Sequence, residues 1–411
     1  MSTKHLATYV TVCALPLLAA CSSDDTATPQ IDAGSQSDAT SGVDGGVVPE
    51  GGSNSDGGSI SGGSARKLAM ALRGKSNFMV GMGNDLDNNH DNDGAYTLGA
   101  SLDLHYAYLV GLLGAGGWPD WNANGTFIDV LFQSADKHGT TPMYSLYSMA
   151  AWGENNMPVL TNDAYMKPYW DGAKLLFQRL AVFAKPAALQ IEPDFWGYAM
   201  QYSPDGKKAV HVKSLAPDCS SLSDDFIGMA QCFVTLRNKY APKVALAFHV
   251  SEWGGTVPAT LSFMKAIGAD KADFWTTDAL DRDAGCFEQH TDPNCQRGGK
   301  TGWYWDEANK ISPTYHEHFA WVKQIVGGLG LPVMWWQVPF GVPSDTPGGS
   351  AGKYRDNHVH YFFAHPDELI AAGGVGMVYG TGAGNQTYIT SDNGQFKAAT
   401  TQWFASPSTL P

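Results

Sequence analysis

The sequence predicts an α/β fold, a (β/α)8 TIM-like barrel, on three observations. Eight short apolar runs recur through residues 66–411, most of them with little polar interruption, as strands buried on both faces require. Helical patterns with apolar residues three and four apart, such as 169–183 and 315–326, lie between many of them. Carboxylates, amides and a histidine collect at the C-terminal ends of the runs, and in a parallel barrel those ends share one face.

The first run, NFMVGMG at 77–83, ends against Asn84 and Asp85. LDLHYAYLVG (102–111) follows, then TPMYSLYSMA (141–150), with Trp152 and Glu154 just beyond. AALQIEP (187–193) carries Glu192 at its end with Asp194 next. KVALAFHVS (243–251) leads to His249 and Glu252, and DFWTTDAL (273–280) to Asp278 and Asp281. LPVMWWQVP (331–339) contains Gln337, and GGVGMVYGTG (373–382) completes the set. An open doubly wound sheet is the competing arrangement, but Gly380-Thr381-Gly382-Ala383-Gly384 is no G-x-G-x-x-G and comes late in the chain.

Residues 1–21 read as a signal peptide. Lys4 and His5 precede an apolar stretch over 6–20 that is too short to span a bilayer. It ends Leu18-Ala19-Ala20-Cys21, which resembles the lipobox of a bacterial lipoprotein and makes Cys21 the expected lipidation site. Export to the bacterial cell envelope follows, at the outer membrane or cell surface, with membrane contact through the lipid alone. Residues 22–65 are rich in Ser, Gly, Asp and Thr and hold no aromatic ring. Such a segment is expected to be a disordered linker, with a reach of roughly 35–40 Å. The remaining residues, 66–411, are expected to be a single catalytic barrel and a monomer.

The net charge is −14, and seven of the acids fall in the linker, leaving 25 bases and 33 acids in 66–411. An acidic domain speaks against nucleic acid and admits a neutral polysaccharide or oligosaccharide. Of six cysteines, Cys13 lies in the signal and Cys21 is the anchor. The others form two local pairs, Cys219 with Cys232 and Cys286 with Cys295, without the close C-x2–4-C spacing of a zinc site. In an exported chain they are expected to be disulfides.

LQIEPDFWGY at 189–198 sets Glu192 and Asp194 around a proline and follows them with Phe195, Trp196 and Tyr198. Glycoside cleavage takes a carboxyl group that protonates the leaving oxygen and a second carboxylate that attacks the sugar or activates water. Burial against rings raises a carboxyl pKa by disfavouring its charge. Glu192 and Asp194 are therefore candidates for the proton donor and the second carboxylate, with Glu252 as a further candidate for the second carboxylate or for tuning the first. Asp278 and Asp392 are further catalytic candidates. Substrate contacts are expected from Trp196, Tyr198, His249, Trp253, Trp275, Trp335, Trp336, Gln337, Asp85, Trp152 and Glu154, since flat rings suit the apolar faces of sugars.

Ile191-Glu192-Pro193-Asp194, then a cysteine pair, then Val244-Ala245-Leu246-Ala247-Phe248 running into His249-Val250-Ser251-Glu252-Trp253-Gly254-Gly255, resembles glycoside hydrolase family 6, the inverting cellulases, over 187–256. The resemblance implies cellulase-type activity with Asp194 as general acid, and a base near Ser391-Asp392-Asn393-Gly394. His249 stands where that family has an aspartate, and Glu252 where it has a histidine. Retaining barrel glycosidases place glutamates on strands four and seven; Glu192 fits the first, and Gln337, which is no nucleophile, lies on the seventh strand, which carries no glutamate.

Asn89, Asp91, Asp93 and Gly94 match the start of a calcium loop, with Ala100 where its glutamate would stand; calcium, substrate contact and a solvated loop are alternative readings. No other cofactor is expected. His358-Val359-His360 and the His316/His318 pair lack a metal-binding context, and neither a G-x-S-x-G elbow nor a phosphate loop occurs. The sequence thus points to an exported glycoside hydrolase acting on a polysaccharide, with a β-glucan as first candidate. The alternative is a non-catalytic surface carbohydrate-binding protein on the same barrel.

Overall fold

The computed structural model describes residues 64–83, 96, 99–279, 305–340, 357–380, 389 and 391–411, which lie in one compact unit, Gly57–Pro411. The signal and all but the last two linker residues fall outside them, as do Asp85, the calcium-loop candidates Asn89, Asp91 and Asp93, and the pair Cys286 and Cys295.

Each apolar run forms a strand: β1 (Met79–Gly83), β2 (Leu104–Val110), β3 (Thr141–Tyr147), β4 (Ala187–Ile191), β5 (Val244–His249), β6 (Phe274–Thr277), β7 (Val333–Val338) and β8 (Gly374–Tyr379). They pair in sequence order, all parallel, and β8 returns to β1, closing a (β/α)8 barrel. Closure leaves no free edge and buries nearly every strand residue, which is why the runs carry so little polar alternation.

Around the ring lie α1 (Ala65–Arg73), α2 (Phe127–Lys137), α3 (Asp163–Phe183), α4 (Phe195–Tyr202), α5 (Phe226–Tyr240), α6 (Val257–Ala266), α7 (Tyr315–Leu329), α8 (His358–Ala364), α9 (Pro366–Ala371) and α10 (Gln395–Ala405). Their ends follow from local chemistry. At α7 the Thr314 hydroxyl accepts the Glu317 N–H (3.1 Å) while the Glu317 carboxylate accepts the Thr314 N–H (2.8 Å), a reciprocal cap, and the helix stops at Gly330 with φ 71°. Helix α3 starts six residues before its apolar periodicity because Asn162 caps it by accepting the Ala164 N–H.

Two contacts pin α5 to its neighbours. The disulfide Cys219–Cys232, with Cα atoms 5.4 Å apart, ties the turn at Pro217–Cys219 to the helix. At the other end Arg237, 1% exposed, forms an ion pair with the equally buried Asp273 at the entry to β6. Arg237 Nη1 also donates to the Val244 carbonyl (3.0 Å), and Asp273 accepts the Leu246 N–H (2.8 Å). Burial pushes the Asp273 carboxyl up, against the pull of the guanidinium. Asp273→Ala leaves a desolvated guanidinium without its counter-ion, and is expected to cost about 3–5 kcal/mol of unfolding free energy in urea titration.

Candidate active site

The C-terminal ends of β4, β5 and β6 bring three titratable side chains together. His249 closes β5 and is fully buried; its Nε2 lies 3.7 Å from Asp278 Oδ1 and 3.9 Å from Asp194 Oδ1. Asp194 precedes α4 and keeps 18% of its side chain exposed, whereas Asp278, just past β6, keeps 5%. The site therefore has an outer carboxylate that an incoming molecule can reach and an inner one behind it. Through the shared nitrogen the two Oδ1 atoms are at most about 8 Å apart, which admits the short separation of the covalent route and the lower part of the range used with an intervening water.

Rings wall this group. Trp336 on β7 is buried and sits edge-on to His249, centroids 5.6 Å apart, and to Tyr108 of β2 at 5.7 Å. Tyr108 in turn meets Tyr147 of β3 at 6.1 Å, and the Tyr147 hydroxyl donates to Glu154. Higher on the rim, the half-buried rings of Tyr198 and Trp253 lie 4.6 Å apart, and Trp152 is 54% exposed. Gly197 sits under Trp253, where an added Cβ would fall 2.8 Å from the indole edge. Backbone strain collects here as well: Glu192, Asp194 and Gln337 have φ of 44°, 65° and 53°, a region side chains rarely adopt. Gln337 lies where the β7–β8 register slips.

Three of the expected substrate rings lie in the core instead. Trp196 donates its indole N–H to the Ile191 carbonyl (3.0 Å) and packs on Phe195 and Phe248. Trp275 donates to the Leu331 carbonyl (3.2 Å) and packs edge-on to Trp321 of α7. Trp335 donates to His318 Nε2 of α7 (2.9 Å). Successive strand residues face opposite sides, so the Trp335-Trp336 pair places one ring against the helices and the other towards His249.

The remaining carboxylates have other tasks. Glu192 is fully buried and accepts the backbone N–H groups of Ser148 (3.2 Å) and Met149 (3.0 Å), joining the end of β4 to the turn after β3. Burial pushes its pKa up to about 8 despite those bonds; it holds a proton at neutral pH but offers no surface to a substrate. Glu252 accepts from His318 Nδ1 (2.9 Å); since the Trp335 N–H occupies Nε2, the ring proton sits on Nδ1. Asp392 accepts the N–H groups of Gly394 and Phe396, both at 2.8 Å, and so caps α10 rather than serving as a base. Among the described residues no group of three or more His, Cys, Asp or Glu could hold a metal.

Tyr108, Tyr147, Ser145, Gln190, Thr276 and His318 were not anticipated. The first two were within reach: Tyr106 with Tyr108, and Ser145 with Tyr147, recur at period two up to a strand end, the signature of one inward row.

No family model matches the chain, and no curated protein does. Solved structures do match. A glycoside hydrolase family 5 xyloglucan-specific β-1,4-glucanase from a ruminal metagenomic library is 11% identical, with a TM-score of 0.49 over 84% of this chain and 97% of its own. A broad-specificity endoglucanase of family 5 from Bacteroides salanitronis is 14% identical, with a TM-score of 0.49 over 86% and 98%. The family 53 catalytic domain of Ignisphaera aggregans is 12% identical, with a TM-score of 0.42 over 81% and 93%. At such identities the likeness is one of fold alone. No family model matches the chain, family 6 included, and the glycoside hydrolases named here are of families 5 and 53; the resemblance to family 6 over 187–256 is not upheld. Its motif has local causes in this chain: Ile191 is barrel wall, Glu192 binds the neighbouring turn, and Asp194 starts α4.

A carboxyl raised in the folded state binds a proton that the unfolded chain has released. Between about pH 4.5 and pH 8, Glu192 therefore makes stability fall as pH rises, by up to about 1.4 kcal/mol per pH unit. Glu192→Gln is expected to flatten that slope in urea unfolding across this window; an unchanged slope contradicts the buried proton.

Proposed function

We propose that this chain is a glycoside hydrolase that cleaves a polysaccharide of neutral sugars, a β-glucan being the first candidate. The observation that carries the reading is the meeting of Asp194 and Asp278 at one imidazole, inside a mouth walled by Trp336, Tyr108 and Tyr147. Asp194, the more exposed, protonates the leaving glycosidic oxygen. Asp278, deeper and just past β6, with β5 between it and the end of β4, is the second carboxylate, acting on the sugar carbon or through a water. This assignment replaces Glu192, which is sealed, and Glu252, which His318 holds. The half-exposed rings of Tyr198, Trp253 and Trp152 suit further sugar units of a polymer, and the acidic surface suits an uncharged one. Lipidation of Cys21 and the linker at 22–65 belong to the same proposal: an enzyme anchored to the cell envelope and held clear of it.

Incubation of the purified chain with a panel of glucans, followed by an assay for new reducing ends, tests the activity. Asp194→Asn and Asp278→Asn are each expected to lower turnover by about 1000-fold or more, with far-ultraviolet circular dichroism unchanged. Binding of glucan without any release of sugar by the wild type would leave a carbohydrate-binding protein and sink the hydrolase.

A further inference from the structure

Four buried polar side chains, one from each of β3 to β6, form a continuous row beneath the two aspartates. Ser145 and Gln190 are register partners, and the Ser145 hydroxyl donates to Gln190 Oε1 at 2.9 Å. A hydroxyl can donate or accept, so that contact alone fits either end of the amide; with the oxygen towards Ser145, Nε2 lies 3.1 Å from His249 Nδ1. An amide nitrogen only donates. The two carboxylates facing Nε2 call for a donor there, which favours this orientation: His249 Nδ1 then accepts, with the hydroxyl of Thr276, its register partner on β6, sharing that nitrogen at 3.3 Å. A neutral imidazole with a filled Nδ1 carries its proton on Nε2, and Nε2 is the nitrogen facing Asp194 and Asp278. No described residue stands within hydrogen-bond distance of it.

We infer that Gln190 is a positioning residue that sets the His249 tautomer, so that the ring presents an N–H to the two carboxylates and to the oxygen of whatever lies between them. The other tautomer would turn a lone pair towards two groups that are themselves oxygen acceptors. The inference deepens the hydrolase reading, since it names what holds the carboxylate pair in a donor field, yet the tautomer exists with or without substrate. Gln190 is wholly buried and touches nothing in the open mouth, so its effect passes through His249 alone.

Long-range 1H–15N correlation spectra of the 15N-histidine-labelled chain read the tautomer directly, with the His249 signals identified by their loss in His249→Phe. The wild-type ring is expected to carry its proton on Nε2 alone. A proton on Nδ1, or on both nitrogens, overturns the assignment. Gln190→Glu, whose carboxylate only accepts, is expected to place a proton on Nδ1 and lower kcat by about 10–100-fold. If the buried charge prevents folding, the uncharged Gln190→Met is expected to give a mixture of tautomers; a pure Nε2 signal in that variant counts against the role. Should no glucan be cleaved, the hydrolase proposal fails while the 15N signals still decide this one.

Discussion

A closed ring of parallel strands permits one row of side chains per strand to face the axis, and that constraint underlies every other feature of this molecule. The row from β3 through β6 reads Ser145, Gln190, His249 and Thr276, four polar groups that the hydrophobic interior would reject singly and accepts because each is another's partner. Where the ring opens at the C-terminal rim, the same alternation delivers Tyr108, Tyr147 and Trp336 around the histidine. It also sends Trp275 and Trp335 outward to bond with a loop carbonyl and with His318. A residue's parity in its strand, more than its type, decides whether it meets a ligand.

This explains what could be read from the residues alone. The barrel was legible because burial on both faces leaves long apolar runs, and all eight strands fall where those runs predict. The gathering of Asp194, His249 and Asp278 was legible because polar residues at strand ends are conspicuous against such runs. The sorting of tryptophans was not, since aromatic count carries no parity. Nor were the tasks of Glu192 and Asp392: whether a carboxylate faces a cleft or a backbone N–H depends on which turn folds over it, and for Glu192 that turn comes from 148–149, more than forty residues away. The Gln190 bridge was hidden for a simpler reason: a glutamine within an apolar strand gives no hint of its neighbours on either side.

Acidic groups are thus divided by depth. Glu192 lies sealed and protonated, Asp278 is nearly covered, and Asp194 meets solvent. Only the last two share a donor. The division lets one small volume contain several carboxyl groups without accumulating their charges, because burial keeps the deepest of them neutral.

The chain from Glu252 through His318 to Trp335 has a mechanical meaning. It runs from the segment after β5, across α7, to the outer face of β7, using two flat rigid rings whose every polar link is filled. Such a strut has little rotational slack and ties that part of the rim to helix α7. The opposite bank carries Trp152, 54% exposed, so the mouth has one bank braced by α7 and one open to solvent.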